Sequence, residues 1–90
     1  EEFVIIMPNT RTEEALKLME SVRIQISDLR LAYNGLDKKL RVTTSIGIAG
    51  VDAETQRYEQ VLARADKALY QAKDQGRNQV VFAGKDMEAV

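Results

Sequence analysis

The sequence contains neither cysteine nor histidine. The first absence removes disulfides, thiolate metal sites and thiol nucleophiles together, and it fits a reducing, cytoplasmic compartment. The second removes an imidazole base and an imidazole metal ligand. Any metal must then be held through oxygen, which favours Mg²⁺ or Ca²⁺ over Zn²⁺. A long apolar stretch is also lacking. The longest run is Phe3-Val4-Ile5-Ile6-Met7, too short to span a bilayer or form a signal core, so no direct membrane contact is expected from this segment. Nor does one charge dominate. With 13 Lys and Arg against 14 Asp and Glu, the formal net charge is −1. That leaves no global basic field, and no basic patch is interleaved with aromatics, so nucleic acid is not an expected partner.

What is present suits one small globular domain. The chain has 90 residues, 44% hydrophobic and 30% charged, a composition that argues against disorder. A domain of this size buries a modest fraction of its surface, so marginal stability is expected. The sequence opens on two carboxylates followed at once by an extended run, as though in mid-element, which points to a piece of something longer.

Phe3–Met7 is apolar throughout and is stopped by Pro8-Asn9, the pattern of a strand buried on both faces. Thr10-Arg11-Thr12-Glu13 has capping-box spacing, with Thr10 at the N-cap. A helix should follow to about Asp28, with Ala15, Met19, Val22, Ile26 and Leu29 on its apolar stripe. Arg11, Glu14, Lys17 and Glu20 fall on the solvent side. Leu31–Tyr33 and Leu40–Ala49 flank Asn34-Gly35-Leu36-Asp37, which reads as a hairpin. In its second arm Thr43, Ser45, Gly47 and Ala49 share a face of small residues, so another element should pack closely there. After a loop at Gly50–Glu54, with Thr55 as a weak N-cap, Val61, Leu62, Ala65, Ala68, Leu69 and Ala72 recur at helical spacing up to Lys73. Gly76 stands where a helix C-cap wants a left-handed residue. A short strand at Gln79–Ala83 and a patternless tail, 84–90, complete the chain. The order strand, helix, hairpin, helix, strand predicts an α/β (α+β) sandwich with helices on a sheet.

Three clusters could carry chemistry. Glu1 and Glu2 are adjacent carboxylates at the head of a strand. Such a pair repels itself unless a cation or donors compensate, and it could help hold Mg²⁺; the plain alternative is a solvated chain start. Lys73 and Arg77 stand four apart around Gly76. They could clamp phosphates, Arg as a fork and Lys as a point charge, or they could simply satisfy the helix dipole. Arg64, Asp66 and Lys67 read as a solvated helix face with local ion pairs. Tyr58 and Tyr70 read as packing residues.

Two longer stretches go beyond composition. Ala65-Asp66-Lys67-Ala68-Leu69-Tyr70-Gln71-Ala72-Lys73-Asp74-Gln75-Gly76-Arg77-Asn78 is similar, nearly letter for letter, to the C-terminal helix signature of the GGDEF domain, the catalytic module of bacterial diguanylate cyclases. Glu1-Glu2-Phe3 resembles the end of the Gly-Gly-Asp/Glu-Glu-Phe motif, and Ser45-Ile46-Gly47 resembles the family's Ser-Ile-Gly strand. The likeness covers residues 1–83, the C-terminal part of such a domain.

The resemblance implies a partial nucleotidyl-cyclase-like palm and the condensation of two GTP into cyclic di-GMP. It implies Mg²⁺ or Mn²⁺ as cofactor, a second GGDEF domain in a face-to-face homodimer, and a sensory domain in a parent chain that other domains can anchor to a membrane. Residue by residue, Glu1 falls on the metal-binding, catalytic acidic position, Glu2 on the following catalytic Glu, and Lys73 and Arg77 on the positions that contact the GTP phosphates. Asp66, Tyr70 and Asn78 are signature positions read as structural. Ser21 stands where many members carry an Arg of the inhibitory site. The motif glycines, the family's first strand with a second metal-binding Asp, and the guanine-reading residues have no counterpart in these residues, so the segment alone is expected to be inactive. In the family sheet that first strand lies between the runs matching Phe3–Met7 and Val42–Ala49, which would leave both edges unpaired here. Two other readings stand beside the enzyme: a degenerate GGDEF module that binds GTP or a protein partner without catalysis, and, apart from any family, a ferredoxin-like regulatory domain.

Overall fold

The computed structural model describes residues 2–29, 31–32, 39–40, 42–51 and 55–84. In chain order these form helix α1 (Thr12–Asp28), strands β1 (Leu31–Ala32), β2 (Lys39–Leu40) and β3 (Ile46–Ile48), helix α2 (Tyr58–Asp74) and strand β4 (Val80–Phe82).

The α1 stripe forms as its spacing predicts. Ala15 and Met19 are buried, and Val22 and Ile26 are half-buried. The stripe ends there: Leu29, past the helix end, is 50% exposed, while Ser27 is buried instead. The helix begins one residue later than the Thr10 cap would place it. Arg11 is the N-cap, and its backbone N–H donates to the carboxylate of Glu14, not Glu13, at 3.0 Å. Thr10 is already engaged in the Pro8-Asn9 turn, where its hydroxyl donates to the Pro8 carbonyl at 3.0 Å.

The hairpin is present in outline. β1 and β2 pair antiparallel with Leu31 opposite Leu40 and Ala32 opposite Lys39; its expected turn, 34–37, lies outside the described residues. The second arm, however, is not one continuous strand. β3 leaves the hairpin and pairs in parallel with β4, setting Ile46 opposite Val80, Gly47 opposite Val81 and Ile48 opposite Phe82. Parallel neighbours need a crossover, and α2 supplies it.

Alternation along β3 sends its two faces to different helices. Ile48 is buried with Ala15 and Met19 of α1, and Ile46, Val80, Phe82 and Met7 pack around them. Gly47 faces α2. A β-carbon there would overlap the Ala65 carbonyl oxygen and the Leu69 backbone, so the small face does admit a close neighbour. Ala68 and Ala72 on the contacting side of α2 are 0% exposed. The result is helix, sheet and helix in three layers.

Helix α2 starts at Tyr58, with Arg57 and not Thr55 as the N-cap. The Gln60 side-chain oxygen accepts from the N–H groups of Gln56 and Arg57, at 2.9 and 3.2 Å, which leaves no N-cap role for Thr55. At the other end the chain closes in a Schellman motif. Arg77 N–H donates to Ala72 C=O at 2.9 Å, Gly76 N–H to Lys73 C=O at 3.4 Å, and Gly76 has φ of +119°.

Phe3–Met7 differs from the buried strand its composition predicts. Phe3 and Ile6 are 87% and 84% exposed, and only Met7 reaches the core. An apolar run becomes a strand when another strand takes up its backbone hydrogen bonds; among the described residues none pairs with it. The expected frayed tail lies outside the described residues except for half-buried Gly84. Among the described residues no helix is long and apolar enough to cross a membrane.

Candidate functional site

The site is built on the C-terminal end of α2. Lys73 sits in its last turn, where the helix dipole favours a cation. Its Nζ lies 3.9 Å from Oε2 of Glu2, with the two side chains 41% and 62% exposed. An ion pair this open to water contributes at most about 1 kcal/mol. The fold thus brings together a carboxylate from the start of the sequence and a cation from its last helix. Glu1 lies outside the described residues.

Arg77 follows on the reversed turn beyond Gly76. Its backbone is fully engaged: the N–H donates to Ala72, and the C=O accepts from Gln79 Nε2 at 3.2 Å. Its side chain is exposed and pairs with no carboxylate among the described residues. Arg77 and Asn78 both have positive φ, +64° and +50°.

Around that turn runs a polar network that sequence reasoning missed. From α1, Arg23 Nη1 donates to Asn78 Oδ1 at 2.8 Å and to the Asn78 carbonyl at 3.5 Å. Asn78 N–H donates to Ser45 Oγ at 3.1 Å. The guanidinium of Arg23 is also bonded to Glu20, and that hydrogen bond raises the Arg23 pKa further above its ordinary value. The Glu20–Arg23 spacing of three on a helix was a readable signal; the long-range partner was not. Asn78, read as structural from its place in the signature, does join α1, the residue just before β3 and the turn beyond α2.

Arg64 corrects the reading of a solvated face. It is 8% exposed, and its Nη2 donates to Gly50 C=O at 3.0 Å and Thr55 Oγ1 at 3.4 Å. Its Nε is buried with no partner among the described residues. The reason is its position: 64, 68 and 72 fall on one helical stripe, the stripe that α2 buries. Asp66 and Lys67 are exposed as expected. Tyr58 and Tyr70 are each 71% exposed, so neither is the packing residue that its ring suggested. An open groove along α1, lined by Leu16, Lys17, Glu20, Ser21, Ile24 and Gln25, contains none of the candidate residues.

No three metal-ligating side chains come together among the described residues. The donor chemistry still fits a hard cation. The available ligand is a carboxylate, and Mg²⁺ is commonly held by one or two protein carboxylates plus substrate phosphates.

Comparison with known proteins agrees on one family. Residues 1–79 match the model of the diguanylate cyclase GGDEF domain. The chain is 33% identical over 87 residues to diguanylate cyclase A of Treponema denticola, covering 97% of this chain and 23% of that protein. It is 42% identical over 81 residues to the response regulator PleD of Caulobacter vibrioides, covering 90% and 18%. It therefore spans less than a quarter of these curated relatives. Among solved structures it resembles the GGDEF domain of DgcB from Caulobacter crescentus, determined in complex with c-di-GMP. The TM-score there is 0.81 at 29% identity, covering 88% of this chain and 45% of that one.

Proposed function

This chain belongs to the GGDEF family, and on that premise we propose that it supplies the phosphate-binding part of a diguanylate cyclase, which condenses two GTP into cyclic di-GMP. The observation that carries the reading is the meeting of Glu2 with Lys73, 3.9 Å apart, beside the turn that bears Arg77. Lys73 and Arg77 bind the triphosphate of one GTP, Lys73 as a point charge and Arg77 through its planar fork. Glu1 would hold the divalent cation, and Glu2, the catalytic carboxylate that follows it, would give up Lys73 as phosphate takes its place. When bound, Mg²⁺ or Mn²⁺ supplies charge neutralisation across the phosphates and activation of the attacking 3′-hydroxyl.

The product needs two nucleotides, so two such domains meet face to face, each holding one GTP. The 90 residues alone are inactive, since the base-reading and glycine-loop parts of the domain are not among them. The parent is a cytoplasmic enzyme or carries its catalytic domain on the cytoplasmic side, under a sensory domain.

Binding of Mg·GTP to the full-length protein, with and without Lys73→Ala, tests the reading. Loss of a charged hydrogen bond predicts about tenfold weaker binding, with a parallel loss of cyclic di-GMP formation. Equal affinity in both proteins overturns the clamp. Weakened binding by a parent that forms no cyclic di-GMP identifies the non-catalytic module instead.

A further inference from the structure

Arg77 and Asn78 are consecutive non-glycine residues in the left-handed region, at φ of +64° and +50°. Asparagine visits that region readily, whereas arginine does so at a steric cost. Such a backbone persists only where its surroundings impose it, and here three elements do so. From α2, the Ala72 carbonyl accepts from Arg77 N–H at 2.9 Å. Beside β3, Ser45 Oγ accepts from Asn78 N–H at 3.1 Å, and Ile46 N–H donates to the Gln79 carbonyl at 2.9 Å. From α1, Arg23 reaches Asn78 Oδ1 at 2.8 Å. The side chain of Arg23 is 19% exposed and is itself held by Glu20 one turn earlier.

The contrast within residue 77 is informative. Its backbone is fixed from several sides, while its guanidinium is exposed and pairs with no carboxylate among the described residues. A group whose root is rigid and whose tip is uncommitted is preorganised for a ligand, because little freedom remains to be lost on binding.

We propose that Arg23 is a positioning residue for Arg77: acting through Asn78, it holds the left-handed turn from which Arg77 reaches a nucleoside triphosphate. The inference rests on the phosphate-clamp reading above. It goes beyond that reading by giving a residue on α1, remote in sequence, control over affinity for the nucleotide.

The test is a double-mutant cycle in the full-length protein, reading the dissociation constant of Mg·GTP, with the melting temperature recorded for every variant. Arg77→Ala is expected to weaken binding about tenfold, and Arg23→Gln about three- to fivefold. If Arg23 works through Arg77, adding Arg23→Gln to Arg77→Ala weakens binding by less than about twofold more, although it still lowers the melting temperature. Asn78→Gly tolerates the positive φ but removes the side chain with its Oδ1 acceptor and loosens the turn, so it should weaken binding at least as much as Arg23→Gln, and Arg23→Gln should add little to it. This variant serves if Arg23→Gln does not fold. Equal effects of Arg23→Gln in both backgrounds indicate a general effect on stability and overturn the proposal. Weakening by Arg77→Ala with none from Arg23→Gln or Asn78→Gly overturns it while leaving the clamp intact. No effect from Arg77→Ala removes the clamp role of Arg77 and this inference with it.

Discussion

Gly47 of β3 lies against Leu69 of α2 so closely that a β-carbon at residue 47 would stand 2.9 Å from the Leu69 Cα and overlap the Leu69 backbone nitrogen. The obstructing atoms are helix backbone, which cannot swing aside as a side-chain tip can. Gly47→Ala therefore has to push α2 off the sheet. Overpacking of this kind costs about 1–3 kcal/mol, read as a lower denaturation midpoint. An unchanged midpoint would show that the helix sits farther from the strand than described.

Gly76→Ala separates steric from conformational demand. A β-carbon at Gly76 meets no heavy atom within 4 Å, but the residue has φ of +119°. The cost is then the backbone's alone, about 1–3 kcal/mol. The same denaturation experiment checks it, and an unchanged midpoint would mean that the turn relaxes to a conformation alanine adopts freely.

Arg64 offers a third stability test. Arg64→Ala removes the tie to Gly50 and Thr55 and leaves an unfilled volume under α2, at an expected cost of about 1–3 kcal/mol. Arg64→Leu should be better tolerated than Arg64→Ala, because it fills space and abolishes the partnerless buried Nε. Urea midpoints for the two variants decide the matter, and an alanine variant as stable as the parent would mean that the tie carries no weight.

In a polypeptide limited to these 90 residues, where no strand among the described residues lies beside it, the stretch from Phe3 to Ile6 predicts self-association. Its apolar side chains are exposed together, and contiguous apolar surface of this kind drives contact between chains. Ile6 is 84% exposed, so Ile6→Lys should change stability by less than about 0.5 kcal/mol while suppressing concentration-dependent assembly in sedimentation. Assembly that is indifferent to Ile6→Lys would place the sticky surface elsewhere.

How far these features could be read from the sequence depended on how local their causes are. The interior of α1, the Gly76 cap and the span of β4 follow from periodicity and backbone chemistry within a few residues. The small face of β3 announced a close neighbour because side chains alternate along a strand, whatever lies opposite. Phe3–Met7 went the other way: its apolarity was plain, but strand formation needs a partner that no local pattern supplies. Arg64 shows a different limit. Its charge argued for solvent, its place in the 64, 68, 72 series argued for burial, and the packing of α2 decided between them. At the candidate site, Lys73 and Arg77 could be grouped by spacing alone. That carboxylates at the start of the sequence and cations at its last helix would serve one site came only through the likeness to a family; the Glu2–Lys73 contact itself was not foreseen, since most of the sequence separates the two. The Arg23–Asn78 bond joins two elements that nothing in the sequence connects.

The parallel pairing of β3 with β4 also constrains the timing of folding. Emerging from a ribosome, Ile46–Ile48 can already pack on Ala15 and Met19 of α1, but its parallel partner comes only after α2 has been synthesised and Val80–Phe82 has followed it out. Closing this pairing across a whole helix is a non-local step, so it is expected late in folding.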